Sequence, residues 1–319
     1  MRRVPRSRKC WRRWRRSAVS SKYWVRIRGK WESKTVAKLY NNIAILGLGL
    51  IGGSIALDLK KRRLARRVVG YNRSAPSRRA ALRRRACDAV TGDPVAAVRD
   101  ADLVVLATPV RHIPELLRKI APGLKNGAVV TDVGSTKENI VRRAKKLLPK
   151  GVVFVGGHPI AGTEKTGMAS ALEGLFEGRW WVFTPDSAAS KKATKRLSRL
   201  AKALGAKPLA ISPKEHDEIL AAISHLPHML AYALVHAAMG LQGGKALKLS
   251  GSSFRDVTRI AASSAQMWTD IGLDNHREIL RMIDRHEQFL KKLKGLLAKR
   301  DAKGLEKFFE SAARVRRKL

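Results

Sequence analysis

The amino-acid sequence predicts a doubly wound, mostly parallel α/β sheet followed by an all-helical domain. From Asn42 to about Ser212, short apolar runs alternate with helical stretches, and long amphipathic segments replace them afterwards. Such alternation is typical of a parallel sheet covered by helices. We therefore expect a basic extension over residues 1–40, a sheet domain over residues 41–211 and a helical domain over residues 212–319.

Six apolar runs are interpreted as buried strands because each is short and bounded by turn residues. They are Ile43–Leu46, Val68–Tyr71, Leu103–Ala107, Val129–Thr131, Val152–Val155 and Trp181–Phe183. Later in the chain, the spacing of apolar residues predicts helices over Pro213–Met239, Arg255–Gly272, Asn275–Leu297 and Ala302–Leu319.

The charge of the chain is strongly basic. Its 319 residues hold 66 lysines and arginines against 25 acidic residues, which gives a net charge of +41. A charge of this size is common in proteins that bind nucleic acid. Beyond residue 40, however, the charge is spread over several helical faces, which favours a solvated surface over a nucleic-acid-binding stripe. A basic cleft would also attract an acidic substrate.

Residues 1–40 differ from the rest of the chain. They hold 15 basic residues and one acidic residue, Glu32. This composition is similar to that of a transit peptide, or of an arm that contacts nucleic acid or anionic lipid. The interpretation that we favour is an extension without structure, produced by a start codon assigned too far upstream.

The sequence predicts neither a membrane span nor a cysteine metal site. No stretch approaches the ~18 consecutive apolar residues that a membrane helix needs. The two cysteines, Cys10 and Cys87, are far apart, which fits a reducing compartment. We therefore expect a cytoplasmic protein.

A glycine-rich turn closes the first predicted strand and opens a helix. This is the context that a dinucleotide-binding loop requires. Gly47 is expected to make the tight turn, Gly49 to let the backbone approach a pyrophosphate, and Gly52 to allow close packing of helix on strand. The loop therefore predicts a Rossmann-type domain that binds NAD(P)+ through Gly47, Leu48, Gly49, Leu50, Ile51 and Gly52.

The end of the second strand bears on the choice of cofactor. An acidic residue at this point normally binds the adenosine ribose and repels a 2′-phosphate. Here the sequence is Asn72-Arg73-Ser74, so that repulsion is missing, and Arg73 with Ser74 can hold a phosphate. The sequence therefore admits both NADP and NAD, since Arg73 can hold a 2′-phosphate or stack on the adenine.

Two further loops follow predicted strands and are expected to face the nicotinamide. One carries Thr108 and Pro109, and the other runs from Asp132 through Ser135 to Lys137. Serine and threonine at such positions are often only helix caps.

A histidine between glycines follows the fifth predicted strand. His158 lies in the sequence Gly156-Gly157-His158-Pro159, so we expect it at the same edge of the sheet as the dinucleotide loop. Oxidation of an alcohol requires a base for the hydroxyl proton, and a histidine suits that role.

The helical domain adds two pairs of charged or titratable residues. His225 and His228 are three residues apart and share a helix face, but no HExxH pattern or cysteine set accompanies them, so we predict no metal site. Arg255 and Arg259 are four residues apart and repel each other in a helix, which indicates that one of them faces an anion.

Together these motifs resemble the prephenate/arogenate dehydrogenase family of tyrosine biosynthesis. The resemblance covers Asn42 to the C-terminus and rests on segments that occur in family order. They are Gly47–Ser54, Asp132–Lys137, Gly157–Gly167, His225–His228, Phe254–Ile260 and Met267–Asn275. It implies a helical domain that forms a homodimer, and oxidative decarboxylation of prephenate to 4-hydroxyphenylpyruvate or of arogenate to tyrosine.

The resemblance also implies roles for individual residues. His158 is similar to the family's catalytic base, Ser135 to a serine that orients the substrate hydroxyl, and Arg259 to the arginine that binds a substrate carboxylate. Glu164 and Asp256 resemble acidic residues near the pocket entrance. Other positions that match the pocket are Thr163, His225, His228 and Trp268.

Some alternatives stay open at this point. Prephenate and arogenate, and NAD and NADP, are not separated by the sequence. A 3-hydroxyacid or 6-phosphogluconate type of dehydrogenase is disfavoured, because those enzymes typically place a lysine of the second domain at the centre of the chemistry.

Overall fold

An eight-stranded sheet forms the first part of the protein. The computed structural model describes residues 39–162 and 166–319, so the predicted extension lies almost wholly outside the described residues. The strands are β1 (Tyr40–Leu46), β2 (Ala65–Tyr71), β3 (Ala89–Thr91), β4 (Leu103–Leu106), β5 (Val129–Asp132), β6 (Val153–Pro159), β7 (Trp180–Thr184) and β8 (Lys207–Ala210).

The strand order is β3-β2-β1-β4-β5-β6-β7-β8. Strand β1 pairs in parallel with both β2 and β4, so the order reverses between β1 and β4. Among the pairs of this sheet only β6 and β7 are antiparallel. The predicted fold class, a doubly wound and mostly parallel sheet, is confirmed. A reversal of this kind opens a crevice beyond the carboxyl ends of the strands, where ligands bind.

The sequence analysis missed two strands and predicted several others too short; β1 and β2 each begin three residues earlier than predicted. Strands β3 and β8 lie at the two edges of the sheet, are three and four residues long, and carry no run of buried apolar residues. Strand β6 continues four residues past the predicted end at Val155, because Gly156–Pro159 pair with β7 after the pairing with β5 has ended. His158 therefore lies in a strand and not in a loop.

Helices cover both faces of the sheet. They are α1 (Leu50–Lys61), α2 (Ala75–Arg83), α3 (Pro94–Val98), α4 (Ile113–Ile120), α5 (Glu138–Leu147) and α6 (Ala188–Ala203). Alternate residues of β1 enter two separate cores: Ile43 and Ile45 pack on the side of α1 and α6, while Ala44 and Leu46 pack on the side of α4 and α5. Burial on both faces explains why the strand reads as a continuous apolar run.

The second part of the protein is helical. Its helices are α7 (Pro213–Leu220), α8 (Leu226–Ala238), α9 (Lys245–Lys248), α10 (Ser252–Thr258), α11 (Ala265–Asp274), α12 (His276–Ala298) and α13 (Ala302–Arg316). The single helix predicted over Arg255–Gly272 is wrong. A 3₁₀ turn at Arg259–Ala262 ends α10, and Ser264 then caps α11 by accepting a hydrogen bond from the Met267 amide.

Helices α7 and α8 form one rod, Pro213–Ala238, joined by a π-helical turn at Ala221–His225. Pro227 lacks the N–H that a regular helix needs at that point, which accounts for the widened turn. The rod is long and apolar enough to cross a membrane by length and composition alone, a feature that the sequence analysis did not recognise. Its first turns carry the buried polar residues His216 and Asp217, which attach it to the sheet.

Candidate active site

The glycine loop has the geometry of a phosphate-binding turn. Gly47 has a φ of +109°, and a Cβ atom there would lie 2.4 Å from the Ala107 carbonyl oxygen. A Cβ atom on Gly52 would lie 2.0 Å from the Gly47 carbonyl oxygen, whereas one on Gly49 would meet nothing within 4 Å. Gly47 and Gly52 are thus fixed by close packing, and Gly49 faces open space that a pyrophosphate fits.

The rest of the loop can contact a dinucleotide through its backbone. The Leu48 side chain is fully buried and that of Leu50 is buried, while Ile51 is only partly covered. The first turn of α1 directs backbone N–H groups towards the same space, and such groups favour an anion.

The loop after β4 lies beside the glycine loop. The Ala107 amide donates to the Leu46 carbonyl oxygen at 2.7 Å, which aligns the ends of β4 and β1. The Thr108 hydroxyl is buried without a hydrogen-bond partner among the described residues. Thr108 and the exposed Pro109 follow the carboxyl end of β4, and their contact with a cofactor stays a prediction.

The end of β2 carries no carboxylate. The Asn72 Oδ1 atom accepts a hydrogen bond from the Ser74 amide at 2.9 Å, and Ser74 in turn caps α2. Arg78 donates to the carbonyl oxygens of Asn72 and Arg73, both at 2.8 Å. The Arg73 side chain is exposed. This corner is therefore cationic and partly exposed.

The structure gives Asp132 a part other than the predicted contact with cofactor. Its side chain is fully buried and forms an ion pair with the equally buried Lys137. It also accepts hydrogen bonds from the amides of Gly134 at 2.8 Å and Gly157 at 3.0 Å. Both carboxylate oxygens thus accept hydrogen bonds from the protein, and Asp132 links the end of β5 to β6.

Ser135 lies half-buried in a loop that is held on both sides. Before it, the Gly134 amide is bound by Asp132. After it, the Thr136 hydroxyl donates to Asp274 of α11. The loop is thereby fixed between the sheet and the helical part.

Asp217 of α7 caps helix α5. Its carboxylate accepts hydrogen bonds from the backbone amides of Lys137 and Glu138, each at 2.8 Å. The His216 Nδ1 atom lies 2.7 Å from the same carboxylate. Sequence analysis missed both residues, because nothing in their local sequence separates them from ordinary helix-surface residues.

His158 faces His216. The His158 Nδ1 and His216 Nε2 atoms are 2.9 Å apart, and the His216 side chain is fully buried whereas His158 is partly exposed. Burial, followed by the nearby His216, Lys137 and His225, lowers the pKa of His158 well below the ordinary histidine value. His158 is therefore neutral and able to accept a proton at neutral pH.

Three residues predicted for the pocket meet in the helical part. The rings of His228 and Trp268 stack with centroids 3.7 Å apart, and His225 meets the edge of Trp268 at 6.0 Å. The Asn275 Nδ2 atom lies 2.9 Å from the Asp217 carbonyl oxygen and 3.1 Å from the His225 Nδ1 atom. Since a carbonyl only accepts, the amide nitrogen faces it and also donates to His225. The His225 Nε2 atom then carries the ring proton, buried and without a partner among the described residues.

Arg259 is exposed at the start of the 3₁₀ turn and adjoins this cluster. Burial lowers the pKa of His228, and the charge of Arg259 lowers it further. Within the described part of the chain, no carboxylate forms an ion pair with Arg259. Asp256 and Arg255 are exposed on the preceding helix. The predictions for Thr163 and Glu164 fall outside the described residues.

Fold and site together define a class of protein. A dinucleotide-binding loop at the switch point of a Rossmann-type sheet, with a neutral histidine at the same edge, is the equipment of an NAD(P)-dependent oxidoreductase. Between residues 39 and 319, leaving aside 163–165, no three His, Cys, Asp or Glu side chains are grouped to hold a metal ion.

Comparisons with known proteins narrow this class. Residues 55–209 match the family model described as the nucleotide-binding domain of prephenate dehydrogenase, and residues 212–311 match the one described as its dimerization domain. The chain belongs to the prephenate dehydrogenase family.

Several relatives illustrate the match. The prephenate dehydrogenase of Bacillus subtilis is 38% identical over 278 residues, which are 86% of this chain and 75% of that protein. The crystal structure of the Aquifex aeolicus prephenate dehydrogenase with hydroxyphenyl propionate and NAD+ superposes with a TM-score of 0.82 at 34% identity, covering 87% of this chain and 98% of that one. The Synechocystis arogenate dehydrogenase gives a TM-score of 0.77 at 32% identity, with coverage of 87% and 99%.

Replacing Gly49 by valine tests the loop. Gly49 has an extended backbone (φ −92°, ψ −155°) that valine can adopt, so the variant should fold. Its side chain would fill the space that fits the pyrophosphate, so binding of NAD+ and NADP+, measured by calorimetry, should be lost.

Gly251→Val is the matched control. Gly251 has nearly the same backbone (φ −88°, ψ −171°) at a helix start and is equally open. The Gly251→Val variant should bind NAD+ and NADP+ with the affinity of the parent protein. Unchanged affinity in folded Gly49→Val would show that the loop does not hold the pyrophosphate.

Proposed function

We propose that this protein is a prephenate dehydrogenase, which oxidises and decarboxylates prephenate to 4-hydroxyphenylpyruvate with NAD(P)+. The observation that carries the proposal is the neutral imidazole of His158 at the sheet edge that also bears the glycine loop. The names of the relatives in Bacillus subtilis and Lactococcus lactis, both prephenate dehydrogenases, support the choice of substrate.

His158 and Arg259 divide the work on the substrate. When bound, the nicotinamide ring of NAD(P)+ accepts a hydride. His158 accepts the proton of the ring hydroxyl as that hydride leaves the same carbon. Arg259, an exposed cation beside the His225–His228–Trp268 cluster, binds a carboxylate of the dianionic substrate. Loss of CO₂ then makes the ring aromatic, which drives the reaction forward.

The remaining predicted residues act around these two. Ser135, in its fixed loop, orients the substrate hydroxyl. His225 offers an N–H group to the pocket, and the exposed Asp256 is assigned to its entrance, as the resemblance implies. The chain's net charge of +41 favours the approach of a dianion.

An assay that crosses two substrates with two cofactors tests the proposal. Formation of NADH and NADPH is followed with prephenate and with arogenate, and prephenate should be the better substrate by kcat/KM. A clear preference for arogenate would make the protein an arogenate dehydrogenase, and turnover of neither would reject the proposal.

Asn72→Asp is the companion variant for the cofactor half of this assay. We propose that Arg73 and Ser74 admit a 2′-phosphate, since residues 72–74 carry no acidic side chain. The variant restores the repulsion and should shift kcat/KM from NADP+ towards NAD+. A parent enzyme that already strongly prefers NAD+ would refute this assignment.

His158→Asn and Arg259→Ala should separate the two central roles. Asparagine can still donate to His216 but offers no base, so kcat should fall by ~10²–10⁴ with KM little changed. Loss of the arginine should chiefly raise KM for prephenate, by roughly 10- to 100-fold, because a charged hydrogen bond is lost in ground and transition state alike. Arg255→Ala, which removes an exposed arginine one turn earlier, is the matched control and should change neither constant.

The pH profile gives a second measurement on the same variants. The parent should lose kcat/KM as pH falls, because protonated His158 cannot accept the hydroxyl proton. That loss should occur below the ordinary histidine pKa of 6.5, since the pKa of His158 is lowered. The acid limb should disappear in His158→Asn and persist in Arg259→Ala. A limb that survives loss of His158 would place the base elsewhere.

The helical part is proposed to form a homodimer. The match to the dimerization domain supports this, and so do large apolar side chains of α12 and α13 that are half exposed in the single chain, among them Phe289, Leu297 and Phe309. Sedimentation equilibrium should give twice the 35.3 kDa of one chain. A monomer at micromolar concentration would contradict the proposal.

A cytoplasmic location is proposed with this function. Cys87 is a free, buried cysteine, which fits the reducing compartment that the two distant cysteines predict. Fractionation of cells that express the full chain tests the location.

A further inference from the structure

The side chains of His158, His216 and Asp217 form a hydrogen-bonded series that runs from the site into the protein. His158 Nδ1 lies 2.9 Å from His216 Nε2, and His216 Nδ1 lies 2.7 Å from Asp217 Oδ1. His216 and Asp217 are both buried, so water does not compete for these hydrogen bonds. This series ends at the start of α5, where the Asp217 carboxylate accepts hydrogen bonds from the backbone amides of Lys137 and Glu138.

The direction of each hydrogen bond follows from the fixed end. Backbone amides only donate, so the Asp217 carboxylate is ionised and accepts hydrogen bonds from them. It also accepts a hydrogen bond from the Nδ1–H group of His216. A neutral imidazole carries one N–H group, which leaves His216 Nε2 as an acceptor. His158 Nδ1 must then donate to it, and the Nε2 atom of His158 is left with a free lone pair.

Both rings are kept neutral by their surroundings. Burial is the largest influence on each ring and lowers the pKa of each. The cation of Lys137 lowers both further, while the carboxylates of Asp217 and Asp132 oppose the shift at His216. His225 faces His158 from the π-helical turn and acts in the same direction as burial.

We propose that His216 and Asp217 are positioning residues, which hold His158 in the tautomer whose Nε2 atom can accept the substrate proton. This inference rests on the proposed function, because it assigns His158 the part of the base. The opposite tautomer would present Nε2–H to the substrate hydroxyl and could not accept its proton. The two residues act through His158.

Two variants of His216 separate positioning from mere packing. His216→Gln can place its side-chain carbonyl oxygen where His158 Nδ1–H needs an acceptor. His216→Leu fills similar space without any acceptor. The leucine variant should lower kcat by roughly 10- to 100-fold with KM for prephenate little changed, the loss expected for one orienting hydrogen bond. The glutamine variant should recover most of that loss.

Nitrogen NMR of histidine-labelled protein reads the tautomer directly. In the parent, His158 should show a protonated Nδ1 and an unprotonated Nε2 at neutral pH, with its signals assigned by their absence in His158→Asn. In His216→Leu, the signals should move towards the opposite tautomer. A parent His158 protonated on Nε2 would overturn the inference, as would equal kcat and an unchanged spectrum in folded His216→Leu.

These readouts keep the inference apart from the proposed function. If the parent shows the expected tautomer but turns over neither prephenate nor arogenate, the proposed function fails and the positioning role falls with it. If the parent is active and His158 has the other tautomer, the positioning role alone fails. The spectrum of the parent needs no variant, so a variant that does not fold leaves the inference testable.

Discussion

The arrangement of the site depends on the hydrogen bonds that the Asp217 carboxylate accepts. Burying a carboxylate costs free energy unless hydrogen-bond donors surround it. Asp217 accepts hydrogen bonds from two backbone amides at the start of α5 and from the Nδ1 atom of His216. The start of a helix also favours negative charge. These hydrogen bonds join the helical part of the chain to the start of α5, and His216 in turn contacts His158 of β6.

A second buried carboxylate organises the sheet side. Asp132 binds Lys137 and the amides of Gly134 and Gly157, so the end of β5, the loop after it and the middle of β6 form one rigid unit. Asp274 of α11 holds the same loop from the helical part by accepting a hydrogen bond from the Thr136 hydroxyl. Groups held in this way need little rearrangement when a substrate arrives, which is how a protein preorganises a reaction.

The topology of the sheet brings these groups to the cofactor side. The switch point between β1 and β4 places the glycine loop and Thr108 at the carboxyl edge, and β6, two strands from β4, carries His158 to the same edge. The antiparallel pairing with β7 extends β6 beyond its pairing with β5, so His158 lies opposite Val182 of β7, past the last residue that pairs with β5. A small change in strand pairing thus decides where the proposed base lies.

Much of the fold and part of the site could be predicted because their signals are local. Apolar runs, the glycine spacing after β1 and the pair His225 and His228 are readable within a few residues, and the structure places each of them near the crevice or the helical cluster. The edge strands β3 and β8 and the hydrogen bond from Gly157 to Asp132 could not be predicted, because each depends on a partner distant in sequence. The helix break at Arg259 was missed although the Ser264 cap that follows it is a local signal. The link from His158 to His216 spans 58 residues, and that from Asp217 to Lys137 spans 80. Sequence determined which chemical groups this protein has, whereas only tertiary packing decided which of them share hydrogen bonds, since the partners come from distant segments and burial away from water strengthens the bonds between them.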